Sequence, residues 1–305
     1  MGNSTPHSKT LIFRAGGPTT RARADGDQMV LEVPLPLLAG AAQELLATGD
    51  TLEALPDGGL VRSQEDLAGV LIGTEDLPLA EATRKLYDRL LQLTAGRKLY
   101  RVWNFVPQIN AEVSGLENYR AFNKGRHEAF QHAWGPVLNG RLPAASALGI
   151  PIGPPALAFT AGTTPVRYFE NPLQVPAIEY PTQYGVIPPA FARGSAIADL
   201  RHPLWHLSGT ASIRGSESCG ADFSSQMQLT LENIATICAH MDIPANRRAG
   251  WKIFLRDPTH LTACQAAMHR VYPQDVASMI FLQADICRAD LIVEIEGLFH
   301  PAHSL

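Results

Sequence analysis

Along the last hydrophobic run of the chain, Leu291–Gly297 (LIVEIEG), two glutamates alternate with Val293 and Ile295. A strand turns successive side chains to opposite faces, so Glu294 and Glu296 share one face and the branched residues the other. A carboxyl in that position is a hydrated, ionised surface group, or, turned into an apolar cleft, a proton donor whose pKa is raised toward neutrality. The residue types fit both. Cys287 stands just upstream and is open to the same kind of choice, a reactive thiol or a small buried hydrophobe. The four cysteines, Cys219, Cys238, Cys264 and Cys287, are spaced 19, 26 and 23 residues apart. That matches no zinc pattern, no Cys-x-x-Cys pair and no compact disulfide framework, so reduced thiols are expected. His127 and His132 in HEAFQH resemble a zinc-protease signature, but a separation of five rotates them to different helix faces and no metal site is expected there. The chain has no Gly-x-Gly-x-x-Gly after a strand, no Gly-x-x-x-x-Gly-Lys and no Gly-x-Ser-x-Gly. Nucleotide cofactors and serine-hydrolase chemistry are correspondingly disfavoured.

The elements that must position these groups form a pattern that occurs twice. In the first half, Leu79–Leu93 places Leu79, Ala82, Leu86, Leu90 and Leu93 on one helical face. A buried strand at Leu99–Val106, a second helix from about Leu116 to Ala133, and β-like runs from Ala156 and Val166 follow. In the second half the same order is predicted at Gln226–His240, Trp251–Leu255, His260–Tyr272, Met279–Cys287 and Leu291–Leu298. Each block is preceded by a run ending in Gly-Thr, Val70–Thr74 and Trp205–Thr210. The fold class expected is α+β, two equivalent halves at residues 1–145 and 146–305, each a mixed sheet with helices packed on one face. Two unrelated α+β domains with the same element order are the alternative. Residues 142–155 and 170–189 are dense in Pro and Gly and carry tyrosines in the second case, which favours loops that line a site.

Composition narrows the functional classes. The chain has 305 residues, 46% hydrophobic and 18% charged, with Lys+Arg 25 against Asp+Glu 29. Such a balance suits an ordinary globular protein and argues against disorder or a basic nucleic-acid binder. No apolar run approaches the ~20 residues that span a bilayer, and Met1–Thr10 lacks the apolar segment of a secretion signal, so no membrane association and a cytoplasmic location are expected.

Ser208–Ser212 (SGTAS), Leu231–Ile234 (LENI) and LIVEIEG together resemble the trimeric reactive-intermediate deaminases, whose ligands bind between subunits near the Val-Glu-Ile-Glu strand. The Pro-Ala-Arg segment that supplies their carboxylate-binding arginine is replaced by YPQDVASM at Tyr272–Met279, which argues against simple deaminase activity. A closer resemblance takes in RVWNFVPQIN (Arg101–Asn110), LENYRAFNKGRHEAF (Leu116–Phe130), ENPLQVPAIEYPTQYG (Glu170–Gly185), PPAFARG (Pro188–Gly194), SGTASIRG (Ser208–Gly215) and ADICRADLIVEIEG (Ala284–Gly297). These six motifs, in order, are similar to the chorismatases, once called pteridine-dependent deoxygenase-like proteins, over roughly residues 99–299. The resemblance implies two fused deaminase-like halves and a cofactor-free enzyme that removes pyruvate from chorismate, with Glu294 as the acid and Cys287 at a product-determining position. Cys287 suits the 3-hydroxybenzoate subtype, while Ala211 suits the hydrolytic subtype that gives a dihydroxycyclohexadiene carboxylate.

Chorismate carries two carboxylates, for which Arg126 and Arg193 are the candidate planar donors. Tyr119, Tyr184 and, less strongly placed, Tyr180 are candidates to hydrogen-bond substrate oxygens. Gly209, Thr210 and Ala211 offer close backbone approach. Product alternatives are 3-hydroxybenzoate, alone or with 4-hydroxybenzoate, and the diol. A non-catalytic protein binding aromatic carboxylates is the alternative from another class. Because fusion supplies an internal interface, a monomer or weak oligomer is expected.

Overall fold

The computed structural model describes residues 8–198 and 203–302. Four helices, α1 (Leu79–Leu93), α2 (Asn118–Trp134), α3 (Phe223–His240) and α4 (Leu261–Val271), pack in pairs on two seven-stranded sheets. The first sheet runs, in spatial order, Asp285–Ile286, Ala144–Ile150, Lys98–Pro107, Ala156–Gly162, Asp66–Ile72, Gly58–Arg62 and Thr51–Leu55. The second runs Val166–Phe169, Gly194–Ile197, Leu204–Ala211, Val293–His300, Arg248–Leu255, Met279–Gln283 and Leu37–Ala39. Both follow one chain path. Three antiparallel strands lead through a helix to a fourth strand, a second helix returns to a parallel fifth, and the last strand inserts antiparallel between the third and fourth. The fold is α+β with two halves of the same topology, as the repeated pattern predicts.

Two details differ from the sequence expectation. Residues 144–150 (AASALGI) form the parallel strand of the first sheet and not a loop, and all seven are buried. A strand buried on both faces loses its polar alternation, and small residues between Pro143 and Pro151 give no periodic signal in its place. Val166–Phe169 opens the second sheet instead of closing the first. The division at 145/146 thus cuts into the first sheet, and the sheets change over between Gly162 and Val166.

The segment before residue 50, for which the sequence offers no clear assignment, forms a third sheet ordered Arg21–Asp25, Gln28–Val33, Lys9–Ala15, Gln43–Gly49. It packs on the helix-free faces of the other two. Phe13, Met29 and Leu31 from it join Trp103 and Phe105 of the first sheet and Phe254 and Leu282 of the second in one buried core. Two further cores lie under the helix pairs, Leu86, Tyr87, Phe122 and Phe130 against Val102 and Val106, and Met227, Ile234 and Met268 against Trp251, Ile253 and Ile295. Local signals hold the helices in place. Asp222 and Ser225 form a reciprocal capping box at the start of α3. At Gly125 a Cβ would overlap the Ala80 carbonyl, so only glycine lets α2 lie this close to α1. The close approach fixes the turn that carries Arg126. No helix among the described residues is long and apolar enough to cross a membrane.

Candidate active site

A cavity of about 320 Å³ opens between the two halves. Its walls come from the second sheet (Gly209, Ala211, Glu294), the first sheet (Ala145, Ser146, Ala147), α2 (Tyr119, Arg126), the segment from Tyr180 to Arg193, and the turn Cys287–Asp290. Tyr119, Phe122, Asn123 and Arg126 stand at three- and four-residue steps and are all buried, so α2 turns one continuous face inward. Of the residues singled out from sequence, Glu294, Cys287, Arg126, Arg193, Tyr119, Tyr184, Gly209 and Ala211 all reach this one cavity. Thr210 does not. It pairs in register with Ile295 on the opposite face of the sheet, and its hydroxyl donates to the Ser208 carbonyl oxygen, whereas Ala211 pairs with Glu294 on the cavity face.

Glu294 is 3% exposed, and burial together with the neighbouring Glu296 pushes its carboxyl up to about 8, against the pull of Arg101 and Arg193. Gly209 lies flat against this carboxyl; a Cβ there would overlap Glu294 Oε1. The two glutamates of LIVEIEG therefore differ in kind. Glu296 takes bonds from Arg101 (2.7 Å), Trp103 Nε1 (2.9 Å) and the Ser146 hydroxyl (2.5 Å), with Lys252 Nζ 2.8 Å away, and these cations hold it below the usual carboxylate range. Glu294 receives none of those bonds and is protonated at neutral pH.

Three guanidinium groups line the cavity with this carboxyl. Arg126 donates to Asn123 Oδ1 at 2.7 Å and lies 4.7 Å over the Phe122 ring, with its Nε buried and unpartnered. Arg193 donates to the Tyr180 hydroxyl at 2.6 Å, and its Nε is likewise unpartnered, 3.9 Å from Glu170. Phe191 stacks between the two, 6.0 Å from Arg126 and 5.0 Å from Arg193. Arg288 rests 3.7 Å over the Tyr184 ring and donates to the Ser216 carbonyl oxygen, leaving Nη2 unpartnered. Unsatisfied buried N–H groups of cations are costly, so this wall is complementary to an anion with several oxygens.

Cys287 is half-buried beside Ala211 and Ile213, and burial and the nearby Glu294 push its thiol up to about 12. It is therefore a neutral thiol, with the Tyr119 hydroxyl, itself raised by burial, beside it. Tyr184 sits at the mouth, donating to Glu217 at 2.5 Å. Cys219, Cys238 and Cys264 lie outside the cavity and are free. Among the described residues no group of three or more His, Cys, Asp or Glu is arranged to hold a metal ion.

Residue type and spacing alone do not single out Arg288 and Ser146. Arg288 adjoins Cys287 in ADICRADLIVEIEG, and Ser146 lies in the small-residue strand Ala144–Ile150, which has no periodic signal.

The chain is 34% identical over 237 residues to 3-hydroxybenzoate synthase of Streptomyces hygroscopicus, covering 72% of this chain and 69% of that protein. It is 32% identical over 268 residues to a chorismatase of the same species, covering 81% and 76%. The protein belongs to the chorismatase family. The family model for the N-terminal region of FkbO/Hyg5-like chorismatases matches residues 56–161, and a chorismatase crystal structure superposes with a TM-score of 0.84 at 26% identity, over 97% of this chain and 96% of that one. For this chorismatase-family chain the superposition extends over both seven-stranded sheets and the four-stranded N-terminal one that the motifs left out.

Proposed function

We propose that this protein is a chorismatase that cleaves chorismate to pyruvate and 3-hydroxybenzoate, with Glu294 as the general acid. The observation that carries this is a buried Glu294, its carboxyl pushed up to about 8, sharing one cavity with three arginines that have unpartnered N–H groups. A neutral carboxylic acid among fixed cations suits a dianion that must be protonated at carbon. Arg126 and Arg193 bind the carboxylates, with Arg288 at the mouth, and Tyr119 and Tyr184 hydrogen-bond the remaining oxygens.

Glu294 delivers its proton to the enolpyruvyl methylene, the C3–O bond breaks and pyruvate leaves. The C4 hydroxyl attacks C3 within the same molecule, gives its proton to the Glu294 carboxylate and forms an arene oxide. The C4–O bond then opens, the oxygen takes up a proton and C3 loses its own, which yields 3-hydroxybenzoate. The atoms of chorismate equal those of the two products, so the route needs neither water nor a cofactor. Hydrolysis instead adds water and gives the diol. The apolar patch of Ala211, Ile213 and Cys287 supports the first route, because it keeps water from that side of the ring. As a neutral thiol, Cys287 serves as a proton carrier in ring opening and not as a thiolate nucleophile.

Incubation with chorismate, followed by chromatographic separation of pyruvate and ring products, tests this directly. Pyruvate with 3-hydroxybenzoate supports it, pyruvate with the diol transfers the protein to the hydrolytic subtype, and unchanged chorismate leaves a binding protein. Glu294→Gln separates the last case from an enzyme: turnover should be lost while chorismate still binds. Because the cavity is complete within one chain, we further propose a monomer or weak oligomer, to be checked by light scattering.

A further inference from the structure

Behind Glu294, on the helix-free side of the sheets, is a buried ion network that the chemistry above does not use. Its centre is Glu296, bound by Arg101, Trp103, Ser146 and Lys252. Ser146 is the hinge between network and cavity. Its hydroxyl donates to Glu296 and accepts from Arg101 and from the Gly209 backbone N–H at 2.9 Å, and Gly209 is the residue against which the Glu294 carboxyl lies. On the far side, Lys252 is shared between Glu296 and Glu44, and Glu44 comes from the Gln43–Gly49 strand of the N-terminal sheet. Arg101 and Lys252 are two cations and Glu296 is an anion. Burial pushes the Glu44 carboxyl up, and the contact with Lys252 opposes that shift and favours the second anion. Only with Glu44 ionised is the cluster neutral.

We propose that Glu44 is a positioning residue for the reaction and that this is a function of the N-terminal sheet: by neutralising Lys252 it keeps the charge behind Glu294 balanced and holds the Glu296–Ser146–Gly209 relay in place. Balance matters because Glu294 must stay protonated next to this cluster. The charged and titratable groups around Glu294 are Glu296 on its own strand, Arg101 on Lys98–Pro107, Arg193 before Gly194–Ile197, Tyr119 on α2, and Cys287, Arg288 and Asp290 on the turn that precedes the Glu294 strand. Lys252 and Glu44 stand behind Glu296. Arg126 adds positive charge from α2 in the same cavity. Removing the Glu44 charge leaves one excess positive charge in a site shielded from water, which favours the ionised form of Glu294. The inference rests on Glu294 being the acid.

The test uses the full-length protein with Glu44→Gln and Glu44→Asp, reading kcat against pH with chorismate. The carboxyl stretch of Glu294, assigned by its loss in Glu294→Gln, is titrated by infrared spectroscopy without substrate. Glu44→Gln is expected to move the alkaline limb of the profile and the infrared midpoint down together by about one pH unit, the scale of one uncompensated charge in such a site. Turnover at pH 8 should then fall several-fold to tenfold, with values at pH 6 within about twofold of wild type, and Glu44→Asp should restore most of it. Lys252→Met, which shifts the charge in the opposite sense, should move the limb upward, and it decides the matter if Glu44→Gln does not fold. An unmoved infrared midpoint, whether turnover is unchanged or lost equally at every pH, would overturn the proposal and leave Glu44 a scaffold residue. If Glu294→Gln retained turnover, the general-acid assignment would fail on its own, while the infrared midpoint would still decide what Glu44 does.

Discussion

At the scale of single residues, the protein separates two chemically identical glutamates two positions apart by what surrounds them. Glu296 is ionised because Lys252 and Arg101 hold it, and Glu294 is neutral because burial and the Glu296 charge oppose its ionisation. The sign of the pH dependence follows. The acid form of Glu294 dominates below its pKa of about 8 and is lost above it, so kcat should be level through neutral pH and fall tenfold per unit on the alkaline side. A profile rising through pH 8 would mean that the required form is the carboxylate. Cys287 invites a different test. With its thiol pushed up to about 12, Cys287→Ala removes the proposed proton carrier and opens space beside Ala211. Chorismate consumption should stay within about tenfold of wild type, while the 3-hydroxybenzoate fraction of the ring products drops and the 4-hydroxybenzoate or diol fraction rises. Unchanged product ratios would assign product control to other residues.

At the scale of elements, the strand Leu204–Ala211 does the placing. Its bulge between Leu207 and Thr210 brings Gly209 flat onto the Glu294 carboxyl while the Gly209 N–H reaches Ser146. Gly209→Ala would force the carboxyl aside. We expect kcat to fall about 10²-fold, as a displacement near 1 Å does in an organised site, with a stability loss of only about 1–3 kcal/mol. Steady-state kinetics and thermal melting measured on one preparation would separate the two effects. Much of this element was legible beforehand. The helical period of Leu79–Leu93, the Val-Glu-Ile-Glu alternation and the SGTAS motif are local signals, and each leads to the element observed. What stayed hidden is non-local. Residue type does not reveal which face a bulged strand presents, so the sequence alone does not separate Thr210 from Gly209 and Ala211. Ala144–Ile150 carries no periodicity because both its faces are buried. The bond between Ser146 and Glu296 spans 150 residues, and Lys252 reaches Glu44 across 208, separations at which one sequence holds no pairing information.

At the scale of the whole molecule, three sheets enclose one core and place an ionisable acid beside it, which ties folding to protonation. A glutamate in the unfolded chain titrates near 4.5, and Glu294 in the folded chain near 8. Between those values the folded state binds the extra proton, so the Glu294 contribution to stability is undiminished below about pH 4.5, declines as pH rises through the window, and levels off above pH 8. Glu294→Gln replaces the acid with a neutral side chain of nearly the same shape and removes the penalty. The variant should be more stable than wild type at pH 8.5 by roughly 2–4 kcal/mol, with the gap closing as pH falls toward 5. Denaturant unfolding at the two pH values measures it. A gap independent of pH would mean that the substitution acts through packing or hydrogen bonding and that Glu294 carries no shifted proton. A gap that closes on acidification would instead show a cost in stability, borne by the shared core, for holding a carboxylic acid in its reactive form.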